Sequence, residues 1–239
     1  MIKNITFLLL VLFSFGISEG FSQTTKSLFD GADAFFGMYV SDGKVDYKAI
    51  KNHPETLESL LKKAEIIKVS PSDPNTYKSF WINAYNLSVI KGIIDNYPIN
   101  SPLDKKGFFD ETQYALGGIS LTLNDIENKM LRAKFEEARF HFVLVCGAKG
   151  CPPLISEAYK PSALESQLQT QAEKSLNKPE FIQVSKVNVA LSEIFKWYKE
   201  DFTKNGKSEI AFINQFRSDK IPSNYTISYY PYNWQLNSK

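Results

Sequence analysis

The sequence of 239 residues contains only two histidines and two cysteines, Cys146 and Cys151. Their spacing matches no zinc-ligand pattern, so we expect neither a metal nor a cofactor. The sequence also lacks a phosphate-binding glycine loop, a serine nucleophile elbow and a His-Glu-x-x-His helix, which argues against those enzyme classes. The net charge is only +2 and no basic stripe is present, so nucleic acid is not an expected partner.

Long apolar runs are also scarce, apart from the thirteen residues from Ile5 to Ile17. At about 1.5 Å per residue this run spans roughly 20 Å, short of the ~30 Å hydrocarbon core of a bilayer. Lys3 precedes it, and the small residues Gly20 and Ser22 follow it at the spacing of a cleavage site. This arrangement predicts a signal peptide over residues 1–22, cleaved after Ser22.

Removal of 22 of the 239 residues leaves 217, which suits one globular domain. The longest later apolar run, residues 142–146, is too short to span a membrane. We therefore expect an exported protein, periplasmic or extracellular, without a membrane span after cleavage. Both cysteines would then enter an oxidising compartment together.

Hydrophobic periodicity predicts several helices. Residues 54–67 carry an apolar stripe at helical spacing. Residues 77–97 are apolar in nearly every direction around the helix axis, which predicts a central helix buried on all sides. Residues 113–116 and 119–123 are expected to form a hairpin across a Gly-Gly turn. Asn124 is expected to cap the next helix, with Glu127 completing a capping box.

Residues 139–146 are β-branched and aromatic and give the strongest strand prediction in the chain. Shorter strands are predicted at 181–184, 187–191 and 225–230. Helices outnumber strands, so we predict an α+β fold: a single globular domain with a buried central helix and a small mixed or antiparallel sheet. Its predicted parts are a signal peptide (1–22), a helical segment (23–69) and a domain over 70–237.

Distinctive motifs occur in a fixed order along this last part: FWINAYN at 80–86, DIE at 125–127 with LR at 131–132, HF at 141–142 with VCG at 145–147 and CPPL at 151–154, IFKWY at 194–198 with DF at 201–202, and PYNWQLN at 231–237. Together they resemble the DUF547 family of uncharacterised proteins over roughly residues 70–237. The resemblance implies a fold but no settled activity, and the plant members look like scaffolds. Two positions depart from the pattern: Asn128 stands where the family often has histidine, and Asn233 where it often has aspartate.

The two cysteines allow three interpretations. A disulfide is favoured, because export exposes the pair to oxidation and Gly147 and Gly150 permit a tight turn between Cys146 and Cys151. A redox-active pair is a second interpretation, although the spacing is not Cys-x-x-Cys. The third makes Cys151 a nucleophile.

A nucleophilic Cys151 needs a base, and His141 is the candidate, with Glu127 or Asn83 orienting it. Cys146 is a poorer partner, because a regular strand puts it and His141 on opposite faces, roughly 16 Å apart. His141 also has a simpler interpretation as a half-buried strand residue, and Glu127 as a capping residue.

Asn83 and Asn86 lie mid-helix in the predicted central helix, where a buried amide without partners costs roughly 1–3 kcal/mol. Neighbouring loop backbone is the favoured partner, and a ligand site is the alternative. Together with Tyr85 and Cys146 they form the candidate binding residues, whereas Tyr232 and Trp234 are expected to pack the tail onto the core.

Two functions follow. The first is a binding or scaffold module of the cell envelope or extracellular space, whose partner is a small molecule, a peptide or an envelope protein. The alternative is a thiol-dependent Cys/His hydrolase that acts on peptide or amide bonds. The first is favoured because no complete catalytic triad can be identified in the sequence.

Overall fold

The computed structural model describes residues 23–239, so the predicted signal peptide at residues 1–22 lies outside the described residues. The helices are α1 (residues 23–39), α2 (Tyr47–Asn52), α3 (Glu55–Ile66), α4 (Pro74–Asp95), α5 (Leu123–Asp125), α6 (Leu164–Leu176), α7 (Glu193–Trp197), α8 (Lys199–Phe202) and α9 (Glu209–Ile213). The strands are β1 (Val40–Ser41), β2 (Lys44–Val45), β3 (Tyr114–Leu116), β4 (Ile119–Leu121), β5 (Ile182–Val184), β6 (Asn188–Ser192) and β7 (Thr226–Tyr230).

The central helix predicted from the sequence is α4. It begins with Pro74 at its first turn, and Asp73 caps it by accepting a hydrogen bond from the Thr76 backbone N–H at 3.2 Å. Sixteen of its 22 residues are buried, because its apolar side chains point in every direction and all of them must leave water. Helix α3 packs on it through the buried stripe of Leu57, Leu60 and Ala64, which confirms the amphipathic helix predicted there.

Within residues 23–239, three small sheets accompany the helices. Strands β3 and β4 form the predicted antiparallel hairpin, whose turn residues Gly117 and Gly118 both have positive φ, as a tight two-residue turn requires. The largest sheet is mixed: β6 pairs with β5 antiparallel and with β7 parallel. The structure therefore confirms the α+β class with a buried central helix and a small mixed sheet.

The predicted strand over residues 139–146 is wrong. Residues Ala138–Phe142 form a 3₁₀ helix instead, and the chain continues without strand pairing. The side chains are buried as expected, but Phe140 packs in the core around α4 and Phe142 in a second core around the mixed sheet. A strand prediction from composition cannot separate these cases, because aromatic and β-branched residues suit any fully buried segment.

The predicted helix cap at Asn124 and Glu127 is also wrong. The capping box is formed two residues earlier by Thr122 and Asp125, which exchange the two reciprocal hydrogen bonds. The helix then widens into a π-helix over Ile126–Arg132, so Glu127 lies inside it and is free of the capping role. Within residues 23–239, no helix has both the length and the hydropathy needed to cross a membrane.

Candidate functional site

A cleft of about 390 Å³ opens where the π-helix, the cysteine loop, helix α7 and the C-terminal tail meet. We call it the aromatic cleft, since seven of the 15 residues that line it are aromatic or histidine. Its lining residues are Tyr85, Phe109, Asp110, Asn124, Glu127, His141, Leu144, Cys146, Cys151, Pro152, Ile194, Trp197, Tyr198, Tyr232 and Trp234. Five of the seven candidate residues identified in the sequence lie here: Tyr85, Glu127, His141, Cys146 and Cys151.

The cysteine loop forms one wall. Cys146 and Cys151 are joined in a disulfide with a Cα–Cα distance of 6.4 Å, as the favoured interpretation of the sequence predicts. The loop between them is tied to the tail by backbone hydrogen bonds: Lys149 N–H to Gln235 O at 2.7 Å and Gly150 N–H to Asn233 O at 2.8 Å. The disulfide thus closes the loop, and hydrogen bonds to the C-terminal tail hold it in place.

Tyr232 connects the tail to the disulfide. Its hydroxyl lies 3.1 Å from Cys146 Sγ and 3.0 Å from Cys151 Sγ. Burial raises the pKa of Tyr232 well above its usual range, so the hydroxyl stays protonated and can donate to sulfur. The tail residue expected to pack on the core therefore also belongs to the site.

His141 is oriented by Asp201, a residue not identified as a site residue from the sequence. The His141 imidazole donates from Nε2 to Asp201 Oδ2 at 2.8 Å, and Arg132 Nε donates to the same oxygen at 2.7 Å. Burial disfavours the charge of Asp201, but the hydrogen bonds from His141 and Arg132 outweigh it and lower the pKa of Asp201 below its usual range. The sequence showed Asp201 only as part of the Asp201-Phe202 motif. Its contact with His141 could not be predicted, because the two residues are 60 positions apart in the chain.

The other nitrogen of His141 lies beside Glu127, which also lines the cleft. Nδ1 lies 3.9 Å from Glu127 Oε1, which is too long for a hydrogen bond. Tyr198 stacks on the imidazole with ring centroids 4.0 Å apart, and burial together with the nearby Glu127 carboxylate raises the pKa of its hydroxyl. The π-helix supplies Glu127, and such wide turns recur at functional sites.

Aromatic side chains form the outer wall. Trp197 and Trp234 are stacked with centroids 5.9 Å apart, and Tyr232 packs against both at 5.0 and 4.8 Å. Trp197 is 45% exposed, a large fraction for the largest apolar side chain. Phe109 reaches Trp234 from the opposite side at 6.2 Å. The wall therefore offers broad ring surfaces to whatever enters from solvent.

Asn83 and Asn86 are placed by the structure in the core, outside the cleft lining. Asn83 bonds to Tyr159 through both its amide groups, accepting at 3.0 Å and donating at 2.7 Å. Asn86 donates to Val143 O and accepts from Val145 N–H, both at 2.9 Å. These bonds are to loop backbone, and those of Asn86 fix the segment between His141 and Cys146.

The two departures from the family pattern lie at the edges of the site. Asn128 accepts from Arg132 one turn later, so it continues the hydrogen-bonded series Arg132–Asp201–His141 towards solvent. Asn233 accepts from the Gln235 backbone N–H at 3.0 Å and shapes the tail turn beside the cysteine loop. Neither residue lines the cleft.

Comparison with protein families gives one match: residues 69–176 match the family described as "Protein of unknown function, DUF547". The match confirms the resemblance predicted from the sequence motifs. It includes α4, the π-helix and the cysteine loop, whereas the motifs around Tyr198 and Tyr232 lie beyond it, and the predicted extent to residue 237 stays a prediction. Searches of curated proteins and of solved structures gave no match.

The site offers two kinds of chemistry. Its rings and carboxylates can bind a ligand, and the oriented imidazole of His141 can exchange a proton. Among residues 23–239, no group of three or more His, Cys, Asp or Glu side chains is arranged to bind a metal ion.

Proposed function

We propose that the protein is an exported binding module of the cell envelope or extracellular space, and that the aromatic cleft is its binding site. The predicted signal peptide supports export. The DUF547 family is described only as of unknown function, which is compatible with a binding role.

The observation that carries the proposal is the outer wall of the cleft, where Trp197, Tyr232 and Trp234 face a space of about 390 Å³. A concave site of this size lined by rings, with a few polar groups at its base, is typical of ligand-binding pockets. Rigid aromatic side chains also bury much surface at a small cost in conformational entropy.

The walls are preorganised, which favours binding. The disulfide closes the loop that carries Cys146 and Cys151, and the tail behind it is anchored by Asn237, whose side chain accepts from the Tyr47 hydroxyl at 2.6 Å. Little of the site needs to become ordered when a ligand enters, so less of the interaction energy is lost.

A thiol-dependent hydrolase is the second candidate, and one observation favours it: His141, oriented by Asp201, lines the same cleft as both cysteines. In the disulfide neither sulfur is a thiolate, and the thiolate is the nucleophile. Hydrolysis would therefore need prior reduction of the pair, whereas binding needs none.

The binding proposal is tested by ligand-observed NMR on residues 23–239. The probes are soluble fragments, namely simple sugars, alkylamines and acetylated amino-acid amides. We expect some of them to show saturation transfer that Trp197→Ala abolishes and Met38→Ala retains, because Met38 is 71% exposed and lies outside the cleft lining. If no fragment shows Trp197-dependent transfer, the proposal is wrong.

The hydrolase candidate is tested on the same protein with fluorescein-labelled casein, with and without reductant. A binding module should release no fluorescent peptides in either condition. Reductant-dependent release that Cys151→Ser abolishes, with the fold intact by circular dichroism, would replace the binding proposal by the hydrolase.

A further inference from the structure

We propose that the aromatic cleft selects organic cations, that is, an ammonium or guanidinium group carried on an apolar stem. The inference rests on the proposed binding function and specifies the chemical class of its ligand. It follows from the charges that line the cleft and from the ring surfaces around them.

The charged side chains that line the cleft favour a positive ligand. Glu127 lies at its base, 7% exposed, and Asp110 lies exposed at its rim. Within the part of the chain that the structure describes, no lysine or arginine lines the cleft. A carboxylate in so dry a position attracts an opposite charge more strongly than it would in water.

The charge of Arg132 acts on Glu127, but Arg132 makes its hydrogen bonds to other residues. Arg132 is directed to Asp201 and Asn128, with its guanidinium on the Tyr198 ring at 4.9 Å from the centroid. His141 Nδ1 is 3.9 Å from the Glu127 carboxylate, beyond hydrogen-bond distance. Neither side chain therefore donates a hydrogen bond to this buried carboxylate, and a ligand cation in direct contact with it would offset more of its desolvation.

The aromatic rings add a second attraction. The ring face of an indole or a phenol attracts a cation within about 6 Å, by about 0.5–2 kcal/mol. Arg132 over Tyr198 shows that a guanidinium is accommodated on one ring of this cluster. Trp197, Tyr232 and Trp234 present further rings around the open part of the cleft, where an apolar stem would also lose contact with water.

A neutral polar ligand such as a sugar would use the rings but leave the Glu127 charge uncompensated. An anionic ligand would meet two carboxylates and no lining lysine or arginine in the described residues. The combination of rings with an inner carboxylate therefore favours a cation over both.

The experiment compares charged probes with neutral analogues of nearly the same shape by isothermal titration calorimetry. Pentylammonium is paired with pentan-1-ol, and Nα-acetyl-lysine N-methylamide with Nα-acetyl-norleucine N-methylamide. For at least one pair we expect the cation to bind about tenfold more tightly, which corresponds to one charge-assisted contact of about 1.4 kcal/mol. A stronger response to pentylammonium would identify a free amine as the ligand, and a stronger response to the lysine amide a peptide side chain.

Two variants locate the effect. Glu127→Gln retains the size and polarity of the side chain but removes its charge, and should bring the affinities of cation and neutral analogue within twofold. Glu65→Gln removes an exposed carboxylate outside the cleft lining and should leave the tenfold preference unchanged. Circular dichroism of both variants checks that the fold is retained.

The outcomes separate the two proposals. Equal binding of cation and neutral analogue overturns the charge preference and leaves the binding function in place. A preference that survives Glu127→Gln also overturns the inference, since the charge would then come from elsewhere. Absence of binding by all four probes, together with no Trp197-dependent fragment, overturns the binding function and this inference with it.

Discussion

Replacement of Asn86 by alanine should destabilise the protein strongly, although Asn86 lies outside the aromatic cleft. Its side chain is 1% exposed, and it donates to Val143 O and accepts from Val145 N–H, both at 2.9 Å. In this way one amide makes the two hydrogen bonds that a neighbouring strand would otherwise make. Asn86→Ala leaves both backbone groups buried without a partner.

The magnitude follows from those two groups. Each unsatisfied buried group costs roughly 1–3 kcal/mol, and alanine recovers about 0.5 kcal/mol as the better helix former. We therefore expect the free energy of unfolding to fall by about 2–5 kcal/mol, which lowers Tm by on the order of 10 °C in a domain of this size.

The assay is urea denaturation at neutral pH with the disulfide intact, followed by far-UV circular dichroism. Asn96→Ala is the matched control, because Asn96 lies at the end of the same helix and makes one hydrogen bond, to Gly92 O at 2.8 Å, from a half-buried position. Its loss should cost less than about 1 kcal/mol. A loss below about 1 kcal/mol for Asn86→Ala would refute the reasoning. It would mean that the backbone groups of Val143 and Val145 do not depend on the Asn86 amide for their hydrogen bonds.

Three further predictions follow. Neither Cys146 nor Cys151 should be alkylated in the native protein without reductant, as intact mass would show, and reducing the pair should cost about 2 kcal/mol in urea denaturation because the closed loop is short. Asp201→Asn should lower the free energy of unfolding at pH 7, and its difference from wild type should shrink as pH falls below about 4. The pKa of Asp201 is lower in the folded protein than in the unfolded chain, so the ionised carboxylate stabilises the fold above the unfolded-state pKa. This stabilisation is lost as the pH falls towards the folded-state pKa and the carboxylate is protonated. Trp197→Ala should lower the free energy of unfolding by about 1–3 kcal/mol, because the residue is 45% exposed but its remaining surface packs on Tyr232 and Trp234.

The fold was predictable where the residues of a segment allow only one conformation or one environment. A segment that is apolar in every direction can only be buried, so α4 followed from its residues alone. The Gly117-Gly118 turn likewise fixed the hairpin, since few residues accept two successive positive φ angles. In both cases the determining interactions are local.

The segment around His141 was not predictable, because its conformation depends on distant residues. Its hydrogen bonds come from Asn86, and Phe140 and Phe142 point into two different cores. The strand prediction separated His141 from Cys146, whereas the structure brings both to one cleft. The error therefore affected the site more than the fold.

Most of the cleft could not be predicted from the sequence either, because it also depends on contacts between distant residues. Trp197, Tyr198 and Asp201 come from the last quarter of the chain and reach the neighbourhood of Glu127 only through tertiary packing. Sequence assigns each of them an ordinary core or surface role. Only the assembled cluster shows that rings and carboxylates face the same space.

Gly147, at the start of the cysteine loop, lies where this wall of the cleft packs against the central helix. It has φ of +84°, and a Cβ there would lie 2.5 Å from Ile93 Cδ1 on the central helix. Gly206 has a similar φ of +74°, but a Cβ there would meet nothing within 4 Å. Substituting each by alanine thus separates two effects in one protein.

Gly206→Ala should cost about 1–2 kcal/mol, the price of a left-handed conformation for a residue with a side chain. Gly147→Ala carries the same cost and must also displace Ile93 or the loop, so we expect a loss at least about 1 kcal/mol larger in urea denaturation. Because that displacement moves the wall formed by the disulfide, fragments that bind in the cleft should also lose affinity in Gly147→Ala and retain it in Gly206→Ala. Equal losses for the two variants would mean that the loop shifts freely against the central helix, and the preorganised wall on which the binding proposal depends would not exist.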